Sequence, residues 1–416
     1  MGAGHLHTHL DHSAAAPSGS AAAPASARPA PASLRTRVVL AVALLPALLA
    51  TVWGAFALWP AADEVPAREP VVAQGSSLVD VTVTGPWDAE TGTFPVELPD
   101  GGTSRMQWSS GTLEPQPGDT VVALHITQIG DLPAPYAFID FQREAPLGLL
   151  AVAFVLVVLL VARWRGLAAL AGLGFAFAVF LLFTVPALLA GHSALPVALV
   201  TSSAVMFVVL YLAHGFTTRT TTALLGTLVG LALTAGIGTW AIGAARVTGA
   251  ADERAAWLPQ MVPGLSLQQI ALCGLVLAGM GVLNDVTITQ ASAVWELREL
   301  APHAPRRVLF ARAMRIGRDH IASTVYTMAF AYVGAALAVL MNLWLMEQPV
   351  ADALSSNEIA EEIVRTLVGS IGLVLAIPAT TGIAALAVPG PTAEPVPVGE
   401  VSVPAGPTAP EPAAAS

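Results

Sequence analysis

The sequence predicts an all-α polytopic membrane helix bundle of about eight spans, with a small extracytoplasmic β domain between the first two. Three observations predict it. Of the 416 residues, 55% are hydrophobic and only 11% charged, with a mean hydropathy of +0.69, proportions suited to a surface that faces lipid. Eight apolar runs approach the roughly 20 residues that a helix needs to cross about 30 Å of hydrocarbon. The one long stretch without such a run carries strand and turn signals instead.

Taken in order, residues 1–37 form a His-, Ala- and Pro-rich tail expected to be disordered and cytoplasmic. Its "HLHTHLDH" offers His5, His7, His9, Asp11 and His12, imidazoles that suit Zn²⁺, Cu²⁺ or Ni²⁺. Nothing there pre-organises them, so opportunistic chelation or no role is the plainer reading and no metal site is assigned. The first span is 38–59. A signal peptide is the competing reading, because Arg35 and Arg37 precede the run. The run is longer than a usual signal core, however, and no clear small-residue cleavage site follows it.

Residues 61–144 are the one stretch able to fold in water. "SLVDVTVTG", "TFPVELPDGG", "SRMQWSSG" and "GDTVVALHI" cluster β-formers, and "LPDGG" and "EPQPGD" punctuate them with turn chemistry. The expectation is a small outer barrel or sandwich, OB-like by choice. It serves as a docking module for another envelope protein or simply as a folded loop. A seven-helix membrane domain follows over 147–388, with spans at 147–162, 167–190, 194–213, 223–243, 270–285, 321–345 and 363–388. Residues 389–416 are a second disordered cytoplasmic tail, Pro- and Ala-rich and too poor in large apolar groups to offset ordering entropy.

Orientation follows from the arginines, since short loops rich in positive charge stay in the cytoplasm. With the N-terminus inside, inner segments hold Arg35, Arg37, Arg163, Arg165, Arg219, Arg298, Arg306, Arg307, Arg312, Arg315 and Arg318, and short outer loops only Arg246 and Arg254. Both termini are then cytoplasmic and the setting is a bacterial cytoplasmic (inner) membrane. The net charge of -10 is spread over loops and tails and offers no basic face for nucleic acid. The lipid bilayer is the first partner, and "PHAPRRVLFARAMRIGR" suits an interfacial helix held by anionic headgroups of the inner leaflet. The single cysteine, Cys273, excludes an intrachain disulfide and a Cys-rich metal site. No HExxH, G-x-S-x-G or Walker A motif occurs, so no enzymatic activity and no cofactor is expected.

Small residues mark where helices can approach closely: Gly226 and Gly230 form a GxxxG, Gly172 and Gly174 lie in the third span, and Gly274, Gly279 and Gly281 in the sixth. Pro186 and Pro196 flank a helical hairpin closed by Gly191, His192 and Ser193. Gly and Pro also allow interrupted helices of the transporter type, although ordinary packing glycines are commoner.

One segment interrupts the apolar pattern. "GVLNDVTITQ" sets Asn284 and Asp285 where hydrocarbon should continue, with Asp285 about 22 Å along a helix that begins near Ile270. Continuing that helix puts Asp285, Thr289, Ser292 and Glu296 on one face. An ionised carboxylate against acyl chains costs at least about 2.5 kcal/mol, so that face should meet a cavity, a partner helix or headgroups. "RIGRDHIASTVYT" supplies Arg315, Arg318, Asp319, His320, Ser323 and Tyr326 at the same depth, and "HGFTTRTTT" adds His214 and Arg219 from an inner loop.

These segments, "GVLNDVTITQASAVWEL", "IGRDHIASTVYTMAFAYVGA" and "LAHGFTTRTTTALLGT", resemble the YibE/F-like family of bacterial polytopic membrane proteins over about residues 136–385. The resemblance implies a multi-span membrane protein suspected of transport, without an established biochemical activity. Actinobacterial members tend to carry a second Asp where this chain has Asn284, and members tend to carry Asn where it has Tyr326. If the carboxylate missing at Asn284 were the ion-binding one, activity here would be altered or absent; Asp285 and Asp319 remain, and Asn284 and Tyr326 stay among the candidate ion- or substrate-binding residues.

Two functions fit best. As a secondary transporter, the protein would bind H⁺ or a metal cation at Asp285, with Arg315 or Arg318 setting its ionisation or holding an anionic substrate and His320 relaying protons. As a non-transporting scaffold or envelope-assembly protein, it would use the same belt as a salt-bridge lock between two spans and work through its outer domain. An intramembrane hydrolase pairing Asp285 with Asp319 is the weakest reading.

Overall fold

The computed structural model describes residues 33–391 apart from 69, 74, 110–112, 127–134, 252 and 346–348. The N-terminal imidazoles and most of the expected tails, residues 1–32 and 392–416, lie outside the described residues; of the rest, 34–37 are helical from Leu34, so the first tail is shorter than expected. Helix α1 spans Leu34–Ala57, and the Ser33 hydroxyl accepts from the Thr36 amide at its start, a standard N-cap.

Five strands follow: β1 (Ser76–Val83), β2 (Thr93–Glu97), β3 (Thr103–Gln107), β4 (Thr120–Ile126) and β5 (Tyr136–Phe141). They close into a barrel of order β1-β2-β3-β5-β4, in which β3 and β5 run parallel and β4 closes antiparallel on β1. Alternation decides what fills it. Val81, Val83, Phe94, Val96, Met106, Val121 and Ala123 point inward and are essentially buried. Trp87 and Trp108 pack edge to face with centroids 5.4 Å apart.

The helical part begins with α2 (Glu144–Val179), a π-helical turn at Phe180–Thr184 and α3 (Val185–Leu189). This run is not one straight rod. Arg163 has φ 53 and ψ -129, and a Cβ on Gly166 would lie 2.5 Å from the Val158 carbonyl oxygen. Along a straight helix those positions would be separated by about 12 Å, so the chain turns back at Arg163. The π turn precedes Pro186, whose missing amide and ring disrupt the regular ladder. Gly191, at φ 85, then closes the expected hairpin, with His192 N donating to the Ala187 carbonyl at 3.1 Å.

The remaining elements are α4 (Ala194–His214), α5 (Thr218–Ala244), α6 (Glu253–Ala256), α7 (Leu258–Met261), α8 (Leu267–Leu300), α9 (Arg306–Ala335), α10 (Leu337–Leu345), α11 (Val350–Leu354) and α12 (Asn357–Ala387). Among the described residues, six helices are long and apolar enough to cross a membrane, or up to seven if α9 and α10, which meet at 61°, form one broken span. The protein is therefore an apolar helix bundle with a small β-barrel.

The sixth helix continues past Asp285 as expected, α8 running to Leu300. The helix that holds the expected seventh span starts earlier, at Arg306, and breaks at Ala336. The arginine-rich stretch is thus the first half of α9, not a separate surface helix. Its Leu309, Ala313 and Gly317 recur every four residues and are buried, so the apolar ridge docks while the arginines stay outside. Gly334 sits two residues before the break, where helix propensity is weakest.

The seam of the bundle is α5, α8 and α12. Gly226 and Gly230 of the GxxxG lie against Thr380, and against Leu283 and Ala376, respectively. Gly372 receives Thr234 and Gly279 lies near its methyl. A Cβ added at Gly174, Gly274 or Gly281 would meet nothing within 4 Å, so only some of the expected packing glycines are needed for close approach. Gln269 on α8 reaches α4, its Oε1 accepting from the Ala194 amide at 3.1 Å.

Candidate functional site

Helices α8 and α9 pack antiparallel, which brings Asp285 beside His320, Oδ2 to Nε2 3.9 Å. That separation is too long for a hydrogen bond but close enough for attraction if the imidazole is protonated. The Asp285 side chain is 75% exposed and that of His320 is 28% exposed. Asp285 thus lies on the outer surface of the bundle, at its edge.

The other expected residues fall on that same outward surface. Glu296 is exposed, and Thr289 and Ser292 are half-buried, so the four-residue face on α8 exists but looks away from the core. Arg315, Arg318, Asp319, Ser323 and Tyr326 are exposed on α9. No ion pair joins Arg315 or Arg318 to Asp285 among the described residues. The expected lock between Asp285 and Arg318 is therefore replaced by the contact with His320. The reason is rotational: Gly317 turns into the seam against Ile377 and Gln290, which leaves Arg318 pointing outward and His320 alongside α8.

The inner-loop contribution does not reach the belt. His214 ends α4 in the open, and Gly215 at φ 75 starts a turn in which Thr217 caps α5, accepting from Thr220 N at 3.1 Å. Tyr211 stacks on Phe216 at 4.6 Å. The threonines of this loop are helix-start chemistry, and no hydrogen bond or ion pair links His214 or Arg219 to Asp285 among the described residues.

Sequence reasoning missed the polar row inside the seam. Thr227 on α5 shares a hydrogen bond with Thr287 on α8 at 2.6 Å. The Thr381 hydroxyl on α12 lies 3.0 Å from Gln290 Oε1 and 2.7 Å from the Ile377 carbonyl oxygen, so its single proton is contested. All four side chains are fully buried, as is Thr380. Thr380 Oγ1, Gln290 Nε2 and Asn284 Oδ1 are buried without a hydrogen-bond partner. Threonine is ambiguous in an apolar run because it can satisfy itself on its own helix; the available signal was its recurrence beside Gly226, Gly230 and Pro378.

A buried charged group sits near the start of α12. Arg365 pairs with Glu361 at 2.9 Å and with Glu362 at 3.1 Å. Glu361 is 8% exposed and lines a small void with Ile242, Val247, Ala271, Leu275 and Val364. Arg365 was hidden by its place inside an apolar run.

Polar side chains thus cluster on α5, α8 and α12, which are long and apolar enough to cross a membrane, and on α9 beside them, and the YibE/F-like protein family matches residues 150–390. The chain belongs to the YibE/F-like family. The matched stretch contains the polar seam, the Asp285–His320 pair and the Glu361–Arg365 pair, and it begins after β5. No curated protein and no solved structure matches this YibE/F-like chain. Within it no group of three or more His, Cys, Asp or Glu side chains converges among the described residues.

Proposed function

We propose that this YibE/F-like protein is a secondary transporter or permease, and that its working site is the slab where Asp285 and His320 meet the polar seam of α5, α8 and α12. The observation that carries this is the set of unanswered polar atoms there: Asn284 Oδ1, Gln290 Nε2 and Thr380 Oγ1 are buried and unpaired. Buried polar groups in a lipid-embedded bundle are costly unless they have a partner, and such groups mark ion or substrate pathways. The interior of the slab is neutral and oxygen-bearing, with one carboxylate at its lip. That chemistry suits H⁺ or a small cation better than a bulky anion, because Arg315 and Arg318 look outward.

Eight spans complete the reading, with α2 counted as two legs about Arg163 and α9 with α10 as one. The excess of inner arginines supports cytoplasmic termini and an outer barrel in a bacterial cytoplasmic membrane. The barrel's strand order supports the OB-like expectation. An envelope partner for that barrel is the second reading, supported by its independent core around Phe94, Met106 and Trp87.

The test is proton flux into proteoliposomes carrying entrapped pyranine, under imposed pH and potential differences. Asp285→Asn should abolish flux with the protein still folded, and Asp319→Asn should spare it, because Asp285 is the carboxylate that lies beside His320. Unchanged flux in Asp285→Asn would remove the proton reading.

A further inference from the structure

We propose that the exposed α8–α9 face is a homodimer interface, in which the acidic side chains of α8 in one copy meet the arginines of α9 in a second copy. The inference rests on membrane embedding and is independent of transport. Arg312, Arg315, Arg318, Asp319, Ser323 and Tyr326 are all exposed on α9, next to Asp285 and Glu296 on α8. Among the described residues, the one ion pair within a chain that crosses between these stripes is Asp285–His320.

Lipid headgroups alone do not cover this surface. From Arg312 to the exposed Thr327 the stripe runs 15 residues along α9, about 22 Å at the helical rise. The interfacial layer on one side of a bilayer is only about 5–8 Å deep, the difference between the full and hydrocarbon thickness shared over two faces. Headgroups can answer one end, where Arg312 and Arg315 lie, but Asp319, Ser323 and Tyr326 then fall against acyl chains unless protein covers them.

The chemistry of the face points to a second copy. Both signs of charge are present side by side, acidic on α8 and mainly basic on α9. A two-fold axis along the membrane normal sets α8 of one chain over α9 of the other and the reverse, so every pairing is made twice. The levels agree. His320 lies beside Asp285 and Gly317 beside Gln290, which places Arg318 and Arg315 within a turn or so of Asp285 in depth. Beyond Asp319, positions Ser323, Thr327, Ala331 and Ala335 repeat every four residues and are exposed. A ridge of small side chains lets a facing helix come close enough for dispersion to hold it.

The experiment uses the full chain in liposomes. In a Cys273→Ala background, chains carrying Ser323→Cys on α9 co-reconstituted with chains carrying Gly281→Cys on α8, both positions exposed, should give a covalent dimer on oxidation, and Leu181→Cys, exposed on the π turn, should not. Equal crosslinking in both experiments, or none between Ser323→Cys and Gly281→Cys, overturns the proposal. Separately, with native Cys273 retained as a folding reporter, C-terminally tagged protein should bleach in two steps at high dilution. Arg312→Asp with Arg318→Asp should lower the two-step fraction at least tenfold while Cys273 stays protected, and adding Asp285→Arg, level with Arg318, and Glu296→Arg, within a turn of Arg312 in depth, should restore it. A folded wild-type chain that bleaches in one step, or a charge swap that fails to restore pairing, refutes the dimer.

Discussion

Replacing Gly226 by Ala on α5, with Gly236→Ala on the same helix as its control, tests whether the α5–α12 seam is set by glycine. A Cβ at Gly226 would overlap Thr380 Oγ1 and lie 2.8 Å from its Cβ and 2.9 Å from its Cγ2, whereas a Cβ at Gly236 meets nothing within 4 Å. Comfortable carbon contacts are about 3.5–4.0 Å, so α12 must withdraw by roughly 1 Å or Thr380 must be forced off its rotamer. Overpacking of that kind costs about 1–3 kcal/mol. Both substitutions gain the same helix propensity, up to about 1 kcal/mol, which cancels in the comparison. Gly226→Ala should therefore be less stable than Gly236→Ala by about 1–3 kcal/mol, and Gly236→Ala should equal or exceed wild type. Reversible unfolding of the purified protein in mixed micelles, followed by helical circular dichroism, measures the difference. Equal stabilities would refute a seam fixed by close approach at Gly226.

Arg365→Met should destabilise the bundle by about 3–5 kcal/mol, because it leaves two partly buried carboxylates without their cation; adding Glu361→Gln and Glu362→Gln should recover much of that in the same unfolding assay. Cys273 is 2% exposed, so a membrane-permeant maleimide should label it only as the protein unfolds, and rapid labelling of native protein would contradict its position on α8. In the barrel, the Thr91 hydroxyl and then the Arg105 guanidinium, outweighing partial desolvation, hold the Asp88 carboxyl below its usual range. A depressed carboxyl contributes stability that is present above its unfolded value and lost as pH falls through the folded one. Barrel stability, read from Trp87 and Trp108 fluorescence against denaturant, should hold at neutral pH and drop in strong acid, and Asp88→Asn should flatten that acid limb.

The apolar runs were legible because lipid imposes a single requirement on every residue of a span, so composition alone reports it. The hairpin at Gly191 and the contacts of Gly226 and Gly230 were legible for a related reason: each is a local backbone property that only glycine supplies. The turn at Arg163 was legible as a charged gap between runs 147–162 and 167–190. The extension of the seventh helix back to Arg306 was not legible because its buried ridge, Leu309 to Gly317, is hidden among arginines that point the other way.

The site divides along the same line. That Asp285 and Arg318 occupy adjacent spans at similar depth followed from spacing and rise, which are properties of one helix at a time. Whether they touch depends on how α8 and α9 are rotated about their axes, and that is set by Gly317 packing into Ile377 and Gln290. Likewise Thr227, Thr287, Gln290 and Thr381 are unremarkable in their own helices and become a polar row only when three helices converge. The sequence by itself determined an apolar bundle with a β-rich insertion and a polar band near one end. Tertiary structure decided which polar groups are buried and which look outward, because helix rotation is fixed by side-chain packing between segments far apart in the chain, and no local pattern encodes it.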